Sequence, residues 1–324
     1  MPKKGILERL AEGPVLGDGG YLLELERRGY VKAGPFTPEV AVEAPAALRE
    51  LHKEFLRAGS EVLQTCTFYA SEDKLRMGGH AHEVEQINRS AVRIAREVAG
   101  EDALVAGNLS LTWQYDPKNK ASDGRVLELF RQQVALQKEE GVDFFIGETF
   151  LFLGEALLAL KAIKEAGFPA MITLNFKLPP LSHEGVSPAE CARILEANGA
   201  DIVGTNCGRD PQRMLPITAE MRKAVKCHVA AQPVGYHATD EIPYFMGLPA
   251  FPLELDPWQA TRTEMAEYAL QARDMGIGYI GACCGTVACH IRSMAEALGR
   301  RPIASGKSPD LSIHPIIGLK LSAR

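Results

Sequence analysis

The 324-residue sequence contains no apolar run of the roughly 18 residues that a membrane-spanning helix needs, which excludes a helical membrane protein. It also lacks a basic excess. With 36 Lys and Arg against 41 Asp and Glu, the formal net charge of -5 argues against nucleic acid as the main partner. The N-terminus has no continuous apolar segment of the secretory kind, because Glu8 and Arg9 interrupt Ile6, Leu7 and Leu10. Cysteine is too sparse and irregular for a disulfide framework: seven thiols, an odd number, read as buried thiols or metal ligands in a reducing, cytoplasmic setting. No GxGxxG or GxxxxGKS phosphate cradle occurs, so nothing local calls for a dinucleotide or ATP.

What is present is a regular alternation. Eight β-prone apolar stretches (14–16, 62–65, 104–107, 144–146, 171–174, 202–204, 228–231 and 279–282) are separated by stretches with apolar residues at helical spacing. Glycine follows six of these helical patterns, at positions 59, 100, 141, 167, 199 and 276, where a C-terminal cap takes a positive φ. Eight strand and helix units predict an α/β fold of the (β/α)8 TIM-type barrel class, over residues 1–300, with a short C-terminal extension over 301–324. The polar segments 113–124 and 236–257 follow strands three and seven, which places them on the catalytic face of such a barrel.

Two motifs stand at predicted strand ends: Gly204-Thr205-Asn206-Cys207-Gly208 and Gly281-Ala282-Cys283-Cys284-Gly285-Thr286. They would bring three thiols to one mouth of the barrel. An ordinary disulfide between adjacent cysteines is geometrically poor, whereas the flanking glycines let both sulfurs turn toward one ion. Three thiolates suit zinc, with a fourth position open to substrate; the alternative is that all three are small buried hydrophobes. An open zinc–thiolate site can hold a further thiol as its nucleophilic thiolate. The corresponding reaction is alkyl transfer to sulfur from an onium donor, whose leaving group departs neutral and needs no general acid.

Residues 4–10 (Lys-Gly-Ile-Leu-Glu-Arg-Leu), Gly17-Asp18-Gly19-Gly20, residues 29–35, Gln64-Thr65, residues 68–75 (Phe-Tyr-Ala-Ser-Glu-Asp-Lys-Leu) and both cysteine motifs resemble the betaine branch of the homocysteine methyltransferases. The similarity runs from the N-terminus to about residue 300. It implies a (β/α)8 barrel, a Zn2+ cofactor held by Cys207, Cys283 and Cys284, and homocysteine as methyl acceptor. By the same resemblance Asp18 and Glu148 hold the homocysteine ammonium, Gly19 and Gly20 offer backbone N–H groups to its carboxylate, and Thr65 is a further contact.

The donor side departs from the family. Phe36 and Thr149 stand where it has a Trp and a Tyr that help cage betaine, while Tyr69 is kept and Gln232 matches a residue near the donor carboxylate. Trp113, Tyr115 and Phe150 are candidates to complete the cage. Glycine betaine is the favoured donor. A sulfonium donor, S-methylmethionine or dimethylsulfoniopropionate, and a non-catalytic onium- or thiol-binding protein are the alternatives. The family's long C-terminal arm contributes to oligomer contacts. This sequence stops at Arg324 with room only for the start of such an arm, so the expectation is either a homo-oligomer with different contacts or a smaller species in solution.

Overall fold

The computed structural model describes residues 3–307, 312–314 and 316–320. Eight parallel strands form one sheet: β1 (Val15–Leu16), β2 (Val62–Gln64), β3 (Leu104–Ser110), β4 (Phe144–Phe150), β5 (Ala170–Leu174), β6 (Ile202–Asn206), β7 (His228–Gln232) and β8 (Tyr279–Ile280). Their order is β1-β8-β7-β6-β5-β4-β3-β2, the sequence of a barrel that opens only between β1 and β2. That seam is bridged, since Glu61 N–H donates to Leu16 O at 2.9 Å and the Glu61 carboxylate accepts from Leu16 N–H at 2.8 Å. The chain therefore has the expected TIM-type barrel architecture.

Strand alternation divides the molecule into two cores. Val62, Leu104, Phe144, Ile146, Met171, Ile202, Ala230 and Tyr279 share the barrel interior, whereas their neighbours Leu63, Val105, Phe145, Ile172, Val203, Val229 and Ile280 pack outward under the helices. Full burial of each large side chain here contributes about 1.5–3 kcal/mol. The N-terminal helix Ile6–Glu12 supplies Ile6 and Leu10, one turn apart, to the interior cluster and plugs the N-terminal end of the barrel. Leu7 and Glu8, between these two buried residues, form the exposed face of this amphipathic helix.

The helices lie where the periodicity predicts, for example Pro45–Ala58, Val84–Ala99 and Pro188–Ala197. The six glycines expected to end helices have positive φ, between 51° and 114°. Short helices at Leu22–Arg27, Val40–Glu43 and Glu72–Gly78 decorate the loops after β1 and β2. They are too brief to show a periodic stripe. The eighth strand is shorter than expected. Beyond Ile280 the chain bonds alternately to both sides, with Gly281 N–H donating to Ala231 O, Ala282 N–H to Asp18 O and Cys283 N–H to Pro233 O.

Candidate active site

Because side chains alternate, the inward positions at the C-terminal ends of the strands lie in register above the apolar layer. They are polar: Gln64, Asn108, Glu148, Thr173, Asn206 and Gln232. Glu148, 5% exposed, accepts from the amides of Gln64, Asn108 (2.6 Å) and Asn206 (2.7 Å), which come from β2, β3 and β6. Burial pushes its carboxyl up to about 8, against the Asn108 hydrogen bond, with the nearby Cys207 and Asp18 charges adding to the rise. The same Asn206 side chain accepts from Thr149 N–H at 2.9 Å and donates to Thr149 Oγ1 at 2.7 Å. Thr149 has φ 60°, a strained conformation for a β-branched residue, and this clamp holds it there.

Cys207 follows Asn206 and also has positive φ, 57°. The turn carries its sulfur to Cys283 and Cys284, and the three Sγ atoms lie within 4.8 Å of one another, with 4.0 Å between Cys207 and Cys284. The opposite wall is as close as backbone allows. A Cβ on Gly20 would stand 2.8 Å from Cys283 O and 3.0 Å from Cys284 Cα. Thiols this crowded cannot all ionise without a cation to share them. Cys207 falls well below the usual thiol value because Cys283 and Cys284 donate to it, and those two rise well above it because they hold the protons for Cys207. Three mutually inward sulfurs of this kind can hold a metal ion.

Asp18 is 2% exposed and accepts from Gln64 N–H at 2.7 Å and Tyr21 O–H at 2.5 Å. Burial pushes its carboxyl up to about 6 against the Gln64 hydrogen bond. Tyr21 in turn lies 3.0 Å from His52 Nδ1, and burial holds His52 neutral by pushing it down to about 3. The neutral ring therefore donates from Nδ1 to the phenol oxygen, and its buried Nε2 has no partner among the described residues. A cavity of about 460 Å³ joins Asp18, Glu148, Thr65, Tyr69, Thr149, Gln232 and the three thiols. The carbonyl oxygens of Gln64 and Gln232, both on this cavity, are buried and unpaired among the described residues. The floor is thus rich in acceptors and suits an ammonium group.

The homocysteine S-methyltransferase family model matches residues 15–298. The chain belongs to the homocysteine S-methyltransferase family. Betaine–homocysteine S-methyltransferase 1 of Bos taurus is 46% identical over 321 residues, which cover 94% of this chain and 78% of that protein. The Danio rerio protein of the same name is 47% identical, with 94% and 79% covered. S-methylmethionine–homocysteine S-methyltransferase BHMT2 of Pongo abelii is 43% identical, with 94% and 85% covered. The homocysteine methyltransferase MmuM of Escherichia coli, solved in a metallated form, has the same fold: TM-score 0.72 at 19% identity, over 90% of this chain and 99% of that one. This chain is a methyltransferase enzyme.

In the methyltransferase, several sequence expectations need correction at the level of contacts. Gly20 N–H is already bonded to Thr286 O at 2.9 Å, so of the two expected backbone donors only that of Gly19 lacks an acceptor among the described residues. The Thr65 hydroxyl accepts from Asn108 N–H at 3.0 Å and lies 2.9 Å from Thr67 Oγ1, an engagement within the fold that leaves one lone pair. Phe36 is off the cavity wall, its ring beside Gly78 and 5.7 Å from Lys32 Nζ. Phe150 points outward and packs on Phe130, and Tyr115 reaches Glu184; neither lines the cavity. Trp113 lies on an adjoining cavity. Sequence reasoning missed Gln64, Asn108 and Asn206 as site residues. The signal was present, since each lies an even number of positions after an inward apolar residue of its strand, but it becomes legible only once the inward face is known.

Proposed function

We propose that this enzyme transfers a methyl group from glycine betaine to the sulfur of homocysteine, yielding methionine and dimethylglycine, with zinc held by Cys207, Cys283 and Cys284. The observation that carries the reading is the convergence of three thiols with two buried carboxylates in one cavity. The soft, all-sulfur donor set fits zinc, and three protein ligands leave the open position of a catalytic site. Zinc bound there supplies the positive charge that keeps the acceptor thiol ionised at neutral pH.

The chain's own residues orient the acceptor. Asp18 and Glu148 bracket its ammonium, which draws both carboxyls back to their ionised form, and Gly19 N–H is free for its carboxylate. Tyr69 and Thr149 line the same cavity and face the donor, and the Gln232 carbonyl completes the acceptor-rich floor. As the new S–CH3 bond forms, the N–CH3 bond breaks, and its electron pair stays on the departing nitrogen. The leaving group is neutral at that atom, so no proton donor is needed. The donor assignment follows the relatives at 46–47% identity. All seven cysteines are free, which suits the reducing cytoplasm proposed for the protein.

The test is methionine formation from homocysteine with glycine betaine, S-methylmethionine and dimethylsulfoniopropionate in turn, alongside metal analysis. About one zinc per chain is expected, lost together with activity in Cys207→Ala. Stoichiometric zinc retained after replacement of all three cysteines overturns the metal site. Asp18→Asn and Glu148→Gln should raise the homocysteine KM by about 10-fold or more, the equivalent of losing a buried charge-assisted hydrogen bond, while leaving zinc in place.

A further inference from the structure

A second cavity, of about 450 Å³, adjoins the first and shares Phe68, Tyr69, Thr149 and Met246 with it. The two have opposite polarity. The first contains Asp18, Glu148 and the thiols, whereas no carboxylate lines the second and Lys74 does. Lys74 is fully buried, on the short helix Glu72–Gly78. Its ammonium donates one hydrogen bond, to Ser110 Oγ at 2.9 Å, and no carboxylate of the described residues comes within ion-pair distance. The group is held instead against aromatic faces, 4.8 Å from the Tyr69 centroid, 5.0 Å from Phe68 and 5.8 Å from Trp113. Two of its three N–H donors have no acceptor among the described residues.

Such burial is expensive for an ammonium and pushes Lys74 down to about 8, only partly countered by Asp73, Glu155 and Glu148. An incoming carboxylate would supply both the missing charge and the missing acceptors. An ammonium already stacked on these rings also repels a second cation from their side. The onium end of a zwitterion is then directed across Tyr69 toward the thiols, beside which that ring lies.

We propose that Lys74 binds the carboxylate of the methyl donor, so that the enzyme selects zwitterionic onium donors over simple onium cations. The proposal rests on the onium-donor reading above and adds to it a specificity residue that faces the second cavity. Gln232 lines only the thiol cavity and carries no charge, and Lys177 stands at the exposed rim.

The test compares glycine betaine with trimethylsulfonium, which carries no carboxylate, in the wild type and in Lys74→Met. The betaine KM should rise by about 10-fold or more while that for trimethylsulfonium is unchanged or falls. An equal effect on both donors, or none on either, overturns the proposal. Calorimetric binding of glycine betaine against tetramethylammonium reads the same preference without turnover, and so remains decisive if no donor supports methylation. The wild type should favour betaine and Lys74→Met should not; equal binding of both ligands to the wild type overturns the assignment. Lys74→Gln, which keeps a donor for Ser110 without the charge, must also lose the preference and covers the case in which the Met variant does not fold.

Discussion

Asn206 makes four hydrogen bonds with one amide: it donates to Glu148 and to Thr149 Oγ1, and accepts from Thr149 N–H and from Thr173 Oγ1. The left-handed backbone at Thr149 costs on the order of 1–3 kcal/mol and persists because these bonds over-determine it. Asn206→Ala should destabilise the protein by about 1–3 kcal/mol, and by less in a Thr149→Gly background, where the strain is gone. Urea denaturation of the four proteins of that cycle checks this, and an undiminished cost in the Thr149→Gly background would mean that the clamp does not act on the backbone. His52 offers a pH readout. Its folded pKa of about 3 lies below the ordinary histidine value, so the unfolded chain takes up a proton first as pH falls. His52 thus contributes its full stability above about pH 6.5 and loses it progressively down to about pH 3. Relative to His52→Asn, the wild type should lose roughly 2 kcal/mol between pH 7 and pH 5. Denaturation midpoints of the two proteins at both pH values measure the difference.

Among elements, the decisive contact is between two loops. The segment after β1 carries Asp18 to Gly20, and the segment after β8 carries Cys283 to Thr286; they lie backbone against backbone, with Gly20 N–H bonded to Thr286 O. Gly285, at φ 79°, turns the second loop, and a Cβ there would come within 2.4 Å of the Tyr236 ring. Gly20→Ala places a methyl group against main chain that cannot rotate away. We expect about 1–3 kcal/mol of destabilisation together with loss of the zinc proposed for this site, measured by denaturation and metal content. Zinc retained at full stoichiometry would show that the thiols keep their geometry without this close approach.

For the molecule as a whole, we propose that residues 1–300 make up the barrel and 301–324 an extension to it. The barrel end is tied by Arg300, which pairs with Glu61 at 2.6 Å and donates to Pro14 O, and Ser305 donates to Glu296 at 2.7 Å. Further on, His314 N–H donates to Leu319 O and Gly318 N–H to His314 O, while Ile316, Ile317 and Leu319 are exposed. Removal of residues 308–324 tests this boundary: an extension outside the folding unit shifts Tm by less than roughly 2–4 °C on removal and leaves methyl transfer intact. A thermal scan and an activity assay of the truncated chain test this, and a large fall in Tm would make the extension part of the folding unit.

The order of strands and helices, the positive-φ glycines and the three thiols were legible in the sequence, because each depends on local periodicity or on a contiguous motif, whereas Asp18 and Glu148 were named only through the family resemblance. The contacts of the donor wall were not. Whether Phe36, Phe150 or Tyr115 reaches the cavity depends on where a loop turns or which way a strand faces, and single-residue identity does not encode that. The amide network around Glu148 gathers Gln64, Asn108 and Asn206 from three strands, 40 to 84 positions from Glu148. The burial of Lys74 against Tyr69 is likewise settled by packing, since the same helix in solvent would expose it. Chain chemistry determined which groups were available. Tertiary structure alone decided which of them lost their water and therefore had to find one another, because desolvation is a property of the closed barrel and of no segment of it.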